Sequence, residues 1–378
     1  MQTPTSTPAA ELERVERYLA ADPGNALLLG RAIDLCLSLG RIDTALEHAD
    51  AALRLAPGDP FIQHRHGSVL IARGQLDEAA RVFEVLLPQV GDANVAFNLA
   101  LVRYRQHRFA DARAALAPYM NAADVSAQTA TLYLRILHHL GEFAEAHEVV
   151  RRQMPDCGND AEFLSAASLL LFDDDQLEEA QRLSTAALAG GARPLEALVV
   201  AGSLALGRDE ADTANALLNE ALTLNPNDGR SWAGLGMASL LNGDTAGAKV
   251  HLERAVANLP THIGTLHALG WCQIMRGELA QAEQTFRKAL ALDRNFGESH
   301  GGLAVVSALQ GKKGEAEEGV QRALRLDPEG LSARYAQMVL SGVVNDPVKF
   351  RKLALRLVSR RSGPESYTLA DALTKRLH

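Results

Sequence analysis

The chain of 378 residues is 47% hydrophobic but only 5% aromatic, and 22% of its residues are charged. Many alanines and leucines with few aromatics favour helix packing over a β-sandwich core, and the length suits two or three globular domains or one repeat array. The formal net charge of −8 gives no overall basic field, and from it we expect no nucleic-acid partner.

The N-terminal residues carry no targeting signal. Residues 1–8 lack the basic and apolar regions of a signal peptide, and we expect them to be disordered. Nowhere does an uninterrupted apolar run approach the ~20 residues that a transmembrane helix needs. We therefore expect a cytoplasmic protein with no transmembrane segment. Residues 9–25 contain the amphipathic stretch AAELERVERYLAA, which predicts an N-terminal capping helix.

Residues 26–330 repeat one pattern at an almost constant period. An alanine recurs inside the second helical stretch of each unit, and successive alanines lie 34 residues apart, or 33 at one step. The register alanines are Ala45, Ala79, Ala112, Ala146, Ala180, Ala214, Ala248, Ala282 and Ala316. Fixed spacing of this size is typical of a solenoid. Each unit therefore consists of a helix, a short turn and a second helix.

Other small and helix-ending residues recur within the units, which we number so that the register alanine is position 20. Small residues at positions 8 and 20 let the two helices of a pair approach closely, and larger residues at positions 4, 7 and 24 fill the spaces beside them. A glycine occupies one turn position in six units, where a helix end needs a left-handed residue: Gly40, Gly74, Gly141, Gly243, Gly277 and Gly311. Four units end with a helix-stopping proline at position 32: Pro57, Pro226, Pro260 and Pro328.

These positions resemble the tetratricopeptide repeat, a helix–turn–helix unit of the same length. The residues that carry the resemblance are Trp232-x-x-Leu235-Gly236…Ala248-x-x-x-Leu252…Pro260 and Leu269-Gly270…Ala282-x-x-x-Phe286…Ala289. The resemblance implies an all-α, right-handed superhelical solenoid of about nine repeats over residues 26–330. First helices would line a concave groove, and residues 331–378 would form C-terminal capping helices.

No motif for catalysis, a cofactor or a metal ion is recognisable. The sequence has no glycine-rich phosphate loop and no HExxH pair. The histidine pairs His138/His139 and His64/His66 point to different faces of a helix, which is poor geometry for metal ligands. We therefore predict a protein that is not an enzyme, with no catalytic residues, no cofactor and no metal site.

The groove positions of the first helices are polar and basic in units one to four and apolar in units five to nine. We predict that the following residues bind a partner there: Arg65, Asn94, Asn98, Arg105, Arg135, Met237, His267, Trp271, Met275 and Val305. Position 9 carries Met237, Trp271 and Val305 in successive units, a stripe suited to a partner's apolar side chains. Two alternatives to partner binding stay open. Neighbouring repeats could bury the apolar stripe, and the polar groove residues of units one to four could simply be solvated.

The functional prediction is a non-enzymatic scaffold, adaptor or chaperone that binds a protein or peptide segment in the groove. The alternative is a regulatory subunit that docks on an enzyme or membrane-associated assembly through its outer face or its C-terminal helix. That helix is basic and amphipathic, with six lysines and arginines within residues 349–361, and it would also suit peripheral contact with a membrane-associated complex.

Overall fold

The computed structural model of the protein describes residues 7–122, 124–208 and 210–342. Within these residues the chain forms twenty α-helices and one 3₁₀-helix, and no β-strand. The all-α class predicted from the sequence is confirmed. The chain divides into an N-terminal unit, residues 1–170, and a C-terminal unit, residues 171–378.

The N-terminal unit begins with a single helix and continues with helix pairs. Its elements are α1 (Pro8–Ala21), α2 (Ala26–Ser38), α3 (Ile42–Leu55), α4 (Pro60–Arg73), α5 (Leu76–Val90), α6 (Ala93–Arg105), α7 (Phe109–Leu116), a 3₁₀-helix (Ala117–Tyr119), α8 (Ala127–Leu140) and α9 (Phe143–Cys157). Helix α10 (Ala161–Asp173) contains the boundary of the unit. The first helices α2, α4, α6 and α8 pack side by side, and each also packs against the second helix of its own pair.

The C-terminal unit repeats the same arrangement. Its helices are α11 (Leu177–Ala189), α12 (Leu195–Gly207), α13 (Ala211–Leu224), α14 (Gly229–Leu241), α15 (Thr245–Asn258), α16 (Ile263–Met275), α17 (Leu279–Leu292), α18 (Gly297–Leu309), α19 (Lys313–Leu326) and α20 (Leu331–Leu340). Helix α20 packs against both α18 and α19. The further helices predicted for the C-terminal region fall within residues 343–378, which lie outside the described residues.

The turn between the two helices of a pair has a left-handed residue, as predicted. The six turn glycines have φ between 69° and 80°. Two other residues hold the same turn position, His107 with φ 58° and Asp175 with φ 60°. A side chain at positive φ clashes with its own backbone, so these two turns are strained where the glycine turns are not.

The register alanines lie in the core of the repeats. All nine are fully buried, with 0% of their surface exposed. A glycine at position 8 faces a large side chain at position 24: a Cβ on Gly67 would lie 2.5 Å from the Phe83 ring, and one on Gly270 would lie 2.7 Å from the Phe286 ring. The close approach of the two helices therefore depends on the absence of a side chain at this position.

No described helix combines the length and the apolar character needed to cross a bilayer. No three described His, Cys, Asp or Glu side chains form a group that could hold a metal ion. The free thiols of Cys36, Cys157 and Cys272 are buried, and burial raises the pKa of Cys272 to about 11, so this thiol stays protonated at neutral pH.

Candidate protein-binding surface

Polar side chains connect neighbouring first helices of the N-terminal unit. Arg65 donates from Nε and Nη2 to the two carboxylate oxygens of Asp34, each at 3.0 Å. The amide nitrogen of Asn98 lies 2.9 Å from Nε2 of His64, and burial lowers the pKa of this histidine. Three predicted binding residues, Arg65, Asn98 and Arg135, therefore already have partners, since Arg135 donates to Glu162 at 2.7 Å. They hold adjacent first helices in register.

The second residue of each first helix in this unit is exposed. The row consists of Leu27 in α2, Phe61 in α4, Asn94 in α6 and Gln128 in α8, and we call it the position-2 row. Leu27 is 84% exposed and Phe61 is 76% exposed, the largest values for any large apolar side chain in the described chain. Only Asn94 was among the residues predicted from the sequence.

All four residues of the position-2 row lie in the first turn of a helix whose start is capped by a side chain. Each lies two residues after the cap, where Asn25, Asp59, Asp92 or Ser126 accepts a hydrogen bond from a backbone N–H of the first turn. The sequence contained the signal for Leu27 and Phe61, because position 2 faces the groove in the family and the repeat does not require an apolar residue there.

Arg105 lies at the other end of α6 from Asn94. The two residues are eleven positions apart, which corresponds to about 16 Å along the helix axis, so Arg105 does not belong to the position-2 row. Its Nη1 donates to the backbone oxygen of Ile71 at 3.5 Å. The ring of Tyr104, the preceding residue, lies 5.5 Å from that of His139, and the His139 ring stacks on Phe109 with centroids 4.2 Å apart.

In the C-terminal unit the predicted stripe is divided between core and surface. Trp271 is 4% exposed and Val305 is fully buried, and both belong to one core cluster with Phe286 and Ala336. The expectation that these two side chains line an open groove is wrong. The ring of Tyr335 in α20 covers Trp271, with the centroids 5.5 Å apart. Burial by neighbouring helices, the alternative left open by the sequence, applies to both.

Met237 and Met275 are only partly buried. Both pack against the cluster that contains Leu240, Leu252 and Leu269, from α14 and α16 respectively. They remain predicted contact residues of this unit.

His267 is a packing residue of α16. Its Nε2 lies 2.7 Å from Oγ of Ser299, and its ring stands edge-on to Phe286 and to Phe296, each at 5.3 Å between centroids. Burial lowers its pKa to about 4, so the ring is neutral at physiological pH and offers no charge to a partner.

Sequence comparison identifies the repeat. Models described as tetratricopeptide repeat match residues 12–60, 199–263 and 274–330, residues 239–295, and residues 62–84. The chain belongs to the tetratricopeptide repeat family. Its repeats indicate a protein–protein interaction scaffold. A search of curated proteins found no match to the sequence.

Solved structures with the same fold are distant in sequence. A structure of the human IFIT1 dimer with m7Gppp-AAAA has a TM-score of 0.55 at 15% identity, covering 93% of this chain and 87% of that one. The Cut9–Hcn1 hetero-tetramer of the APC/C has a TM-score of 0.50 at 16% identity, covering 89% of this chain and 60% of that one. YrrB, described as a tetratricopeptide repeat protein with an unusual peptide-binding site, has a TM-score of 0.39 at 20% identity, covering 52% and 97%.

The IFIT1 structures correct one expectation from the sequence. From the acidic net charge we excluded a nucleic-acid partner, and this exclusion is wrong, because a protein of the same fold is seen with capped and triphosphate RNA. Net charge averages over the whole surface, whereas a partner responds to the charge of one local surface.

Proposed function

We propose that this protein binds an extended segment of a partner protein across the first helices α2, α4, α6 and α8. The observation that supports the proposal is the position-2 row, in which two apolar side chains are followed by two amides at equivalent places on adjacent helices. Isolated exposed apolar residues are common on protein surfaces, but two in register on neighbouring helices form a patch that favours a partner.

The spacing of the row suits an extended chain. Packed helices lie roughly 8–10 Å apart, and an extended peptide advances about 3.3 Å per residue, so about three residues of the partner pass each helix. Leu27 and Phe61 would contact apolar side chains of the partner. Asn94 and Gln128 would contact its backbone, since an amide side chain offers both a donor and an acceptor to a peptide group.

The arginines of these first helices contribute little to the proposed binding. Arg65 and Arg135 are paired with Asp34 and Glu162, so releasing them to a partner would break existing ion pairs. Partly exposed pairs of this kind contribute at most about 1 kcal/mol each, and their exchange would change affinity little. Recognition would therefore depend on apolar and amide contacts, with Met237 and Met275 as a second contact region in the C-terminal unit.

Site-specific photo-cross-linking tests the proposal. The full chain with Phe61 replaced by p-benzoylphenylalanine is irradiated in lysate of its own cells, and the product is digested separately with protease and with nuclease. We expect a protein adduct. The matched control carries the same replacement at Val85, which is 59% exposed on the second helix α5.

The recovered segment is then measured by fluorescence anisotropy. We expect Phe61→Ala to weaken binding by on the order of 2 kcal/mol, about thirtyfold, and Val85→Ala to leave it unchanged. Adducts formed from the Val85 probe, or from a third probe placed within residues 349–361, with none from Phe61, would contradict the proposal. Such adducts would instead favour the regulatory subunit that docks through its outer face or its basic C-terminal segment.

A further inference from the structure

A cavity of about 600 Å³ lies between the second helices α17 and α19, beside the first half of α18. We call it the α17/α19 cavity. Its lining residues are Arg287, Leu290, Ala291, Arg294, Asn295, His300, Leu303, Arg322, Arg325 and Leu326. Four arginines thus surround an apolar surface formed chiefly by leucines, and the lining contains no Asp or Glu. None of the proposed contact residues of the first helices lines this cavity.

Most of this positive charge is unpaired. Arg287 donates to Glu283 at 2.8 Å. Within the described part of the chain, the guanidinium groups of Arg294, Arg322 and Arg325 form no ion pair and no hydrogen bond. Like charges gathered at one cavity repel one another, and an anion that bridges them removes that repulsion while gaining charge-assisted hydrogen bonds.

The repeat itself does not require these arginines. Arg294 occupies position 32, where four other units have proline. One repeat earlier, the residues equivalent to Arg287, Arg294, Arg322 and Arg325 are Glu253, Pro260, Lys288 and Ala291. The preceding step of the array therefore forms the same helix contacts with only one basic residue at these four positions. The basic lining is specific to the step between α17 and α19.

We infer that the α17/α19 cavity binds an acidic segment of a partner protein. The carboxylates of that segment pair with Arg294, Arg322 and Arg325. One of its apolar side chains packs on the leucine surface between them. This site is independent of the position-2 row, since it lies in the other unit and uses second helices, and it adds a second class of contact to the scaffold.

The cavity lining favours a protein segment over a nucleotide or single-stranded nucleic acid. Single strands bind largely by stacking bases on aromatic side chains, and no Phe, Tyr or Trp is among the lining residues. Leucine side chains suit an aliphatic residue of a peptide. The chain's own residues 343–378 contain more Lys and Arg than Asp and Glu, so their charge does not complement the cavity.

Arg294→Pro is the decisive variant, because it removes a charge and installs the residue that other units have at this position. Asp293 before it has φ −139° and ψ 109°, close to the values of −137° and 97° for Asp327 before Pro328. A proline is therefore compatible with the local backbone. We expect the Tm of this variant to equal or exceed that of the wild type.

The probe is an array of random-sequence peptides, on which the full-length wild type and Arg294→Pro are compared. We expect the wild type to enrich peptides with Asp or Glu near Leu, and replacement of those acids by Asn and Gln to weaken binding at least about tenfold. That factor is the usual effect of losing a hydrogen bond to a charged group. Arg294→Pro should lose the enrichment while remaining folded.

Arg325→Glu has a matched control in Arg54→Glu. Both arginines are exposed in the last turn of a second helix, α19 and α3, so both changes alter net charge and the helix terminus equally. We expect only Arg325→Glu to abolish binding of the enriched acidic peptides. Enrichment of peptides without acids, no enrichment at all, or equal binding by wild type and Arg294→Pro would overturn the inference. So would binding of oligoadenylate at the cavity in place of acidic peptides.

Discussion

The ring of Tyr335 in α20 stands edge-on to the indole of Trp271 in α16, with centroids 5.5 Å apart and planes at 72°. A close approach of α20 to α18 makes this contact possible. A Cβ on Gly301 of α18 would lie 2.7 Å from the backbone nitrogen of Ala333 and 2.7 Å from Cβ of Ser332. Helix α20 therefore closes this part of the core, and Trp271 becomes a buried residue.

The Trp271–Tyr335 contact predicts that replacing the two residues has coupled effects on stability. We expect Trp271→Ala to lower the free energy of unfolding by about 3–5 kcal/mol, because it leaves a large cavity in the core. Tyr335→Ala should have a smaller effect. The double variant should fall short of the sum by about 0.5–1.5 kcal/mol, the usual coupling of an aromatic pair. Denaturant unfolding of the four proteins measures this, and strict additivity would show that the rings do not interact.

The alanine register predicts that the loss of stability caused by an Ala→Arg substitution depends strongly on its position. Ala282→Arg forces a charge and a large side chain into a fully buried contact between helices, and we expect a loss of several kcal/mol. Ala257→Arg is the control, since Ala257 is exposed on the neighbouring second helix α15, and such changes usually stay within about 0.5 kcal/mol. Thermal melts of the two variants should differ clearly, and equal melts would refute the register.

The two strained turns offer a gain in stability. His107→Gly and Asp175→Gly place glycine at φ 58° and 60°, where a side chain is unfavourable. We expect each to raise stability by about 0.5–1 kcal/mol, because relief of backbone strain exceeds the added entropy of the unfolded chain. Gly141→His, the reverse change at an equivalent turn, should lower Tm. A lower Tm in both glycine variants would contradict this account.

His267 predicts a loss of stability in mild acid. Its pKa in the folded protein is about 4, below the ordinary value of 6.5, so the unfolded chain binds the proton more readily. The contribution of the neutral His267 ring to the free energy of unfolding is complete above about pH 6.5. It is lost as the pH falls toward 4, at up to about 1.4 kcal/mol per pH unit. Denaturant unfolding at pH 7 and pH 5 should show a smaller decrease for His267→Gln than for the wild type, by up to about 2 kcal/mol. Equal decreases would exclude this role.

The sequence by itself determined the repeat and its internal contacts. The alanine spacing, the turn glycines and the small residue at position 8 each reflect a local requirement of one helix pair, namely close helix contact or a left-handed turn. Such requirements recur at fixed positions, so they can be read along the chain. The same period predicts α2 to α19 and the left-handed turns between paired helices.

Only the tertiary structure decided which of the repeat's variable positions are accessible. Position 9 holds an apolar residue in three successive units, yet Trp271 and Val305 are buried while Met237 is partly exposed, because burial depends on what the neighbouring helices place against each side chain. Neighbouring helices likewise decide that Leu27 and Phe61 are exposed and that the arginines of the α17/α19 cavity are unpaired. Accessibility and pairing are properties of several helices together, whereas the repeat pattern records what each pair requires for itself.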